Sequence, residues 1–99
     1  MSLHLIRVVG NFQVTATPGY NGCFADFEIA ELHNGGSSLG GTWEVLVTGS
    51  LRFDGCVNSH MADGNVFHFC GPDGVDKLAA AWKVVWEMGP ELMPGKWLP

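Results

Sequence analysis

The sequence predicts an α+β domain: a single antiparallel sheet of four to five strands, meander-like, with one C-terminal amphipathic helix packed on one face. Two observations carry this. From about residue 3 to residue 70, apolar and polar side chains alternate with the two-residue period of half-buried strands, interrupted by Gly-, Asn- and Pro-rich turns. After that, Val75, Leu78, Ala79, Trp82, Val85 and Trp86 recur at helical spacing. The 14 glycines agree, because an all-strand region needs many tight turns. A chain of 99 residues, 46% hydrophobic and 15% charged, fits one domain (1–99) with a core of its own.

Each element has its own signal. Leu3 to Val9 is rich in β-formers and ends at Gly10-Asn11. Phe12, Val14 and Ala16 alternate with Gln13, Thr15 and Thr17 until Pro18-Gly19 breaks the run. Cys23, Ala25, Phe27 and Ile29 form the inward set of a third strand. A glycine-rich connection at 35–41 leads to the longest strand. There Trp43, Val45, Val47, Gly49, Leu51 and Phe53 are expected on one face, and Thr42, Glu44, Leu46, Thr48, Ser50 and Arg52 on the other. Asp54-Gly55 is a turn, 58–64 reads as a polar loop, and 65–70 as a last short strand.

The third and fourth strands are expected to pair with Ile29 opposite Val47, Phe27 opposite Gly49 and Ala25 opposite Leu51, since a one-residue slip would turn the apolar set outward. The same register sets Asp26 beside Ser50 and Glu28 beside Thr48. With Glu44 and Leu46 assigned to that face, it reads as an acidic patch amid apolar residues. Asp73 is the expected N-cap of a helix over about 74–88, and Asp76 meets its positive end. Gly89-Pro90 is expected to end it, with Gly in the left-handed cap conformation. The tail, 90–99, is apolar and proline-bearing. It must fold back on the domain or bind something else.

The net charge of −5, with only Arg7, Arg52, Lys77, Lys83 and Lys96 as cations, argues against nucleic acid and fits a basic protein partner. No apolar run approaches membrane-spanning length, and no signal peptide is visible. Three cysteines, Cys23, Cys56 and Cys70, are too few and odd for a disulfide-stapled secreted domain. The expectation is therefore a cytoplasmic protein with reduced thiols.

One constellation carries metal chemistry: Cys56, His60, His68 and Cys70, as C-x3-H followed by H-x-C. Thiolate and imidazole are zinc's preferred ligands, and His68 and Cys70 share a strand face. The spacing departs from the common zinc patterns, and the plainer reading has the cysteines as small core residues. A Cys–His nucleophile pair, with His60 or His68 activating Cys23 or Cys56, has no local feature that would activate the thiol. Ser37, Ser38 and Ser50 lie in no G-x-S-x-G context. Asp26 and Glu28 are plainly read as solvated carboxylates, and no phosphate-binding fingerprint occurs. The sequence therefore points away from an enzyme. It points toward a small acidic protein-binding module, an adaptor or inhibitor of a basic partner of the kind bacteria and phages use, working through Asp26, Glu28, Glu44 and Leu46. The alternatives are a self-associating structural domain that pairs through Leu46, Leu32, Phe24 and the Trp97 tail, and a small zinc-supported domain.

Overall fold

A computed structural model describes residues 4–19, 21–33, 41–72 and 78–99. Six strands follow one another: β1 (Leu5–Val9), β2 (Phe12–Pro18), β3 (Phe24–His33), β4 (Thr42–Arg52), β5 (Cys56–Met61) and β6 (Val66–Cys70). They form one antiparallel sheet in chain order, a simple meander. After them the described residues form two helices, α1 (Ala79–Glu87) and a single turn, α2 (Gly89–Leu92). The α+β architecture is as the sequence predicts, with six strands in place of four to five.

The additional strand is β5, inside the stretch expected to be a polar loop. Val57 and Ser59 are buried and Met61 packs at the edge of the core, while Asn58 and His60 point to solvent. The inward position that hid this alternation is Ser59. It tolerates burial because its hydroxyl donates to the Phe67 carbonyl at 3.3 Å. The true turn is shorter, around Asp63-Gly64, where Asp63 Oδ1 accepts the Asn65 N–H at 3.0 Å.

The central pairing has the expected register: Ala25 opposite Leu51, Phe27 opposite Gly49, Ile29 opposite Val47. Gly49 is small for a reason of packing. A Cβ there would lie 2.3 Å from the Asn58 carbonyl, 2.9 Å from Ser59 Cα and 3.0 Å from the Phe27 ring. Beyond Ile29 the register shifts at a bulge, so that Ala30 pairs with Val45 and Glu31 with Glu44. One extra residue in β4 reverses which way every side chain before it points. The expected inward placement of Trp43 and Val45 is therefore corrected: they are 46% and 42% exposed.

Leu78, Ala81, Trp82, Val85 and Met88 form the buried stripe of the C-terminal region and pack on Val14, Ala16, Ala25, Phe27, Ile29, Val47, Leu51 and Val57. Trp82 meets Phe27 edge-on at 5.7 Å and Phe69 edge-on at 5.0 Å between ring centroids. At roughly 25 cal/mol per Å², burying one indole contributes on the order of 5 kcal/mol before entropy is charged against it. The proposed cap at Asp73, with Asp76, Gly74 and Val75, lies outside the described residues.

At the other end Gly89 is not a left-handed cap. It opens α2, and Pro90 sits in its first turn. Glycine is needed there because the Trp97 ring lies over it: a Cβ would come within 2.5 Å of three ring atoms. The tail folds back on the domain. Trp97 stacks edge-on against Trp86 at 5.4 Å, and the Leu98 N–H donates to the Phe53 carbonyl at 2.9 Å. Arg7 of β1 holds Glu91 of α2 through both carboxylate oxygens at 2.8 Å.

The crowding at Gly49 leads to a stability prediction. Gly49→Ala lowers unfolding free energy by about 1–3 kcal/mol, because its nearest obstacle is backbone that cannot rotate away. Urea unfolding followed by tryptophan fluorescence measures this, and a neutral result contradicts the packing described.

Candidate functional site: the uncovered face of the sheet

Both helices and the tail pack on one side of the sheet. No described element packs on the other side, and the register gives the side chains it presents. One row runs across five strands, Thr17, Asp26, Ser50, Asn58 and His68, and is continued by His4 just before β1. Its members are linked in pairs. His4 Nδ1 lies 3.2 Å from Thr17 Oγ1, and Ser50 Oγ donates to Asp26 Oδ1 at 3.2 Å. His68 Nδ1 lies 2.6 Å from Asn58 Oδ1; because an amide oxygen only accepts, the ring nitrogen is the donor. The next row is Ile6, Thr15, Glu28, Thr48, His60 and Val66.

Beyond these rows the face becomes apolar. Val8, Gln13, Ala30 and Val45 are successive cross-strand neighbours, and Leu32 pairs with Trp43 next to them. Ile6, Val8, Trp43 and Val45 are all exposed. The uncovered face thus has a polar part with hydroxyl, carboxylate, amide and imidazole groups, and an apolar part with an exposed indole.

The residues singled out from sequence divide differently from expectation. Asp26 and Glu28 lie together on the uncovered face. Glu44 does not join them. The bulge sets it opposite Glu31, on the parity of Ile29, where its Oε1 lies 2.8 Å from His33 Nε2. Leu46, at the bulge, is half-buried and packs at the core edge, and its carbonyl accepts the Ala62 N–H at 2.8 Å. Of the three carboxylates expected on one face with Leu46, two share it, Asp26 and Glu28.

Cys56, His60, His68 and Cys70 do share one face. Cys56 and Cys70, however, are direct cross-strand partners and form a disulfide. This corrects the expectation of reduced thiols. The physical reason is the β5–β6 hairpin, which brings the two positions face to face. Bonded to each other, they offer no thiolate to a metal, and His68 is engaged with Asn58.

Cys23 is free and half-buried. Its backbone N–H donates to Asn21 Oδ1 at 3.0 Å and its carbonyl accepts the Phe53 N–H at 3.0 Å, contacts of the main chain rather than of the thiol. Ser50 donates to the Asp26 carboxylate and, among the described residues, bonds no imidazole. Ser37 and Ser38 lie outside the described residues. No described helix is long and apolar enough to cross a membrane.

Sequence reasoning missed Trp43 and Val45 as surface residues, and Glu31 and His33 entirely. The available signal was the run Val45-Leu46-Val47, three apolar residues in succession within an alternating strand, which is how a bulge reads in sequence. Comparison of the chain with protein-family models, curated proteins and solved structures gives no match.

The disulfide carries its own prediction. Air-oxidised protein, unfolded in guanidinium, has one titratable thiol, Cys23, and three after reduction. Converting both Cys56 and Cys70 to Ser costs about 3 kcal/mol through the freed loop of the unfolded chain. Three thiols without reductant would contradict the pairing.

Proposed function

We propose that this chain is a small acidic, non-enzymatic protein-binding module, an adaptor or inhibitor that engages a basic partner through the uncovered face of its sheet. The observation that carries the reading is the grouping of exposed Trp43, Val45, Val8 and Ile6 on a face that no described element covers, next to Asp26 and Glu28. A monomer gains nothing from leaving an indole in water, whereas tryptophan in an apolar cluster with a polar surround is a common anchor of protein interfaces. The carboxylates and the −5 net charge favour association with a positively charged surface and speed the encounter.

The second reading is self-association through the same face. It is favoured by β1, which stands at the edge of the sheet among the described residues and exposes Ile6 and Val8. Trp97 of the tail packs against Trp86 and over Gly89, which leaves the sheet face as the better support for this reading.

The test compares immobilised wild-type protein with the double variant Trp43→Ser, Val45→Thr and the double variant Asp26→Lys, Glu28→Lys, each checked for native circular dichroism. A basic protein retained by the wild type is lost from the first variant, and its association rate falls about tenfold or more with the second. Equal capture by all three removes the proposal. Sedimentation of the wild type as a dimer that the first variant dissolves selects self-association.

A further inference from the structure

The bulge that turns Trp43 outward also assembles a group of side chains that the docking face does not use. Glu31 and His33 are two apart on β3 and so project to the same side of the strand. Glu44 of β4 stands directly opposite Glu31. His33 Nε2 lies 2.8 Å from Glu44 Oε1 and 3.5 Å from Glu31 Oε1, and one ligand atom from each of the three residues lies within 4.8 Å of the others. We propose that Glu31, His33 and Glu44 form a three-ligand site for a divalent first-row transition ion of the zinc type.

The distances suit the ion. Zinc binds imidazole nitrogen and carboxylate oxygen at about 2.0–2.2 Å, so tetrahedral ligand atoms stand about 3.3–3.5 Å apart. The separations from His33 Nε2 to the two carboxylates bracket that value, and a small rotation of Glu44, whose side chain is 61% exposed, suffices to open the short one. A mixed set of one imidazole and two carboxylates selects ions that accept nitrogen over magnesium and calcium, which prefer oxygen alone.

The charge arrangement points the same way. Like charges directly opposite on adjacent strands destabilise a sheet. Here Glu31, with only 26% of its side chain exposed, faces Glu44 across the ladder. His33 carries at most one positive charge against their two negative ones, and a divalent ion balances the pair. The bulge is what creates the opposition: in the unshifted register Glu44 would stand on the other face of the sheet.

Isothermal titration of the whole disulfide-bonded protein with zinc chloride tests this. The expected result is one saturable equivalent, with the dissociation constant raised about tenfold or more by Glu31→Gln, by Glu44→Gln and by His33→Gln, since even outer-shell changes cost that much at metal sites. The double variant His60→Gln, His68→Gln binds like the wild type. Zinc addition shifts the His33 ring signals in NMR spectra and leaves those of His68 in place. Magnesium gives no saturable heat under the same conditions. A flat zinc titration, unchanged affinity in the three variants, loss of binding in the His60/His68 variant, or magnesium binding as strong as zinc would each overturn the assignment.

Discussion

Trp82 is the side chain through which the helix and the sheet become one structure. It reaches Phe27 in the third strand and Phe69 in the sixth, so one indole spans most of the sheet from above. Its placement has a cost, because Nε1 of Trp82, like that of Trp86, is buried with no acceptor among the described residues. A buried unsatisfied donor costs about 1–3 kcal/mol, less than the gain of roughly 5 kcal/mol from burying the ring. The balance favours the ring inside, and it explains the smallness of what lies beneath. Phe27 can stand under Trp82 only because its cross-strand neighbour is Gly49, and Gly49 is in turn pressed by the backbone of Asn58 and Ser59. Helix position, strand register and the small residues of β4 and β5 are thus parts of one packing solution.

The bulge after Ile29 divides the sheet into two regimes. On the β3–β4 ladder, the Ala25–Ile29 side of the bulge obeys simple alternation: apolar residues face the helix and Asp26 and Glu28 face away. Past it the parity of β4 is reversed, so Val45 and Trp43 leave the core side and Glu44 takes their place. A bulge weakens the ladder locally, and a sheet keeps one where the redirected side chains serve something else. Here a single inserted residue, at Leu46, produces an exposed indole on one face and a carboxylate–imidazole group on the other.

How far the sequence could be read follows from the same division. Where the period of two is unbroken, the strands, the β3–β4 register over Ala25–Ile29, and Leu78, Trp82 and Val85 of the helical stripe were legible, because hydrophobic pattern sets them, whereas Ala79 is exposed and Ala81 and Met88 are buried instead. Three features were not. β5 escaped because its buried centre is Ser59, a polar residue satisfied by a main-chain carbonyl that no pattern reveals. With β5 hidden, so was the disulfide: Cys56 and Cys70 are equally far from Asp63, which matters only once a hairpin is known to turn there. The third is the outward Trp43 and the meeting of Glu31, His33 and Glu44, which depend on the bulge, a tertiary decision between two strands rather than a property of either.

The two faces therefore answer to different constraints. On the helix side nearly every inward position is filled by apolar residues, and the tail is drawn in as well, with Trp97 over Gly89 and Leu98 bonded to Phe53. Apart from the Glu31, His33 and Glu44 group past the bulge, that side is accounted for by folding. On the other side the cross-strand pairs of Ser50 with Asp26 and His68 with Asn58 are solvent-exposed contacts of small energetic weight. Nor does stability call for Trp43, Val45, Val8 and Ile6 in water. An antiparallel sheet covered on one face is stable with a wholly polar second face. The apolar side chains retained there are the part of the molecule that folding leaves unexplained, and it is for this reason that the uncovered face, rather than the well-packed one, is the place to look for what this protein does.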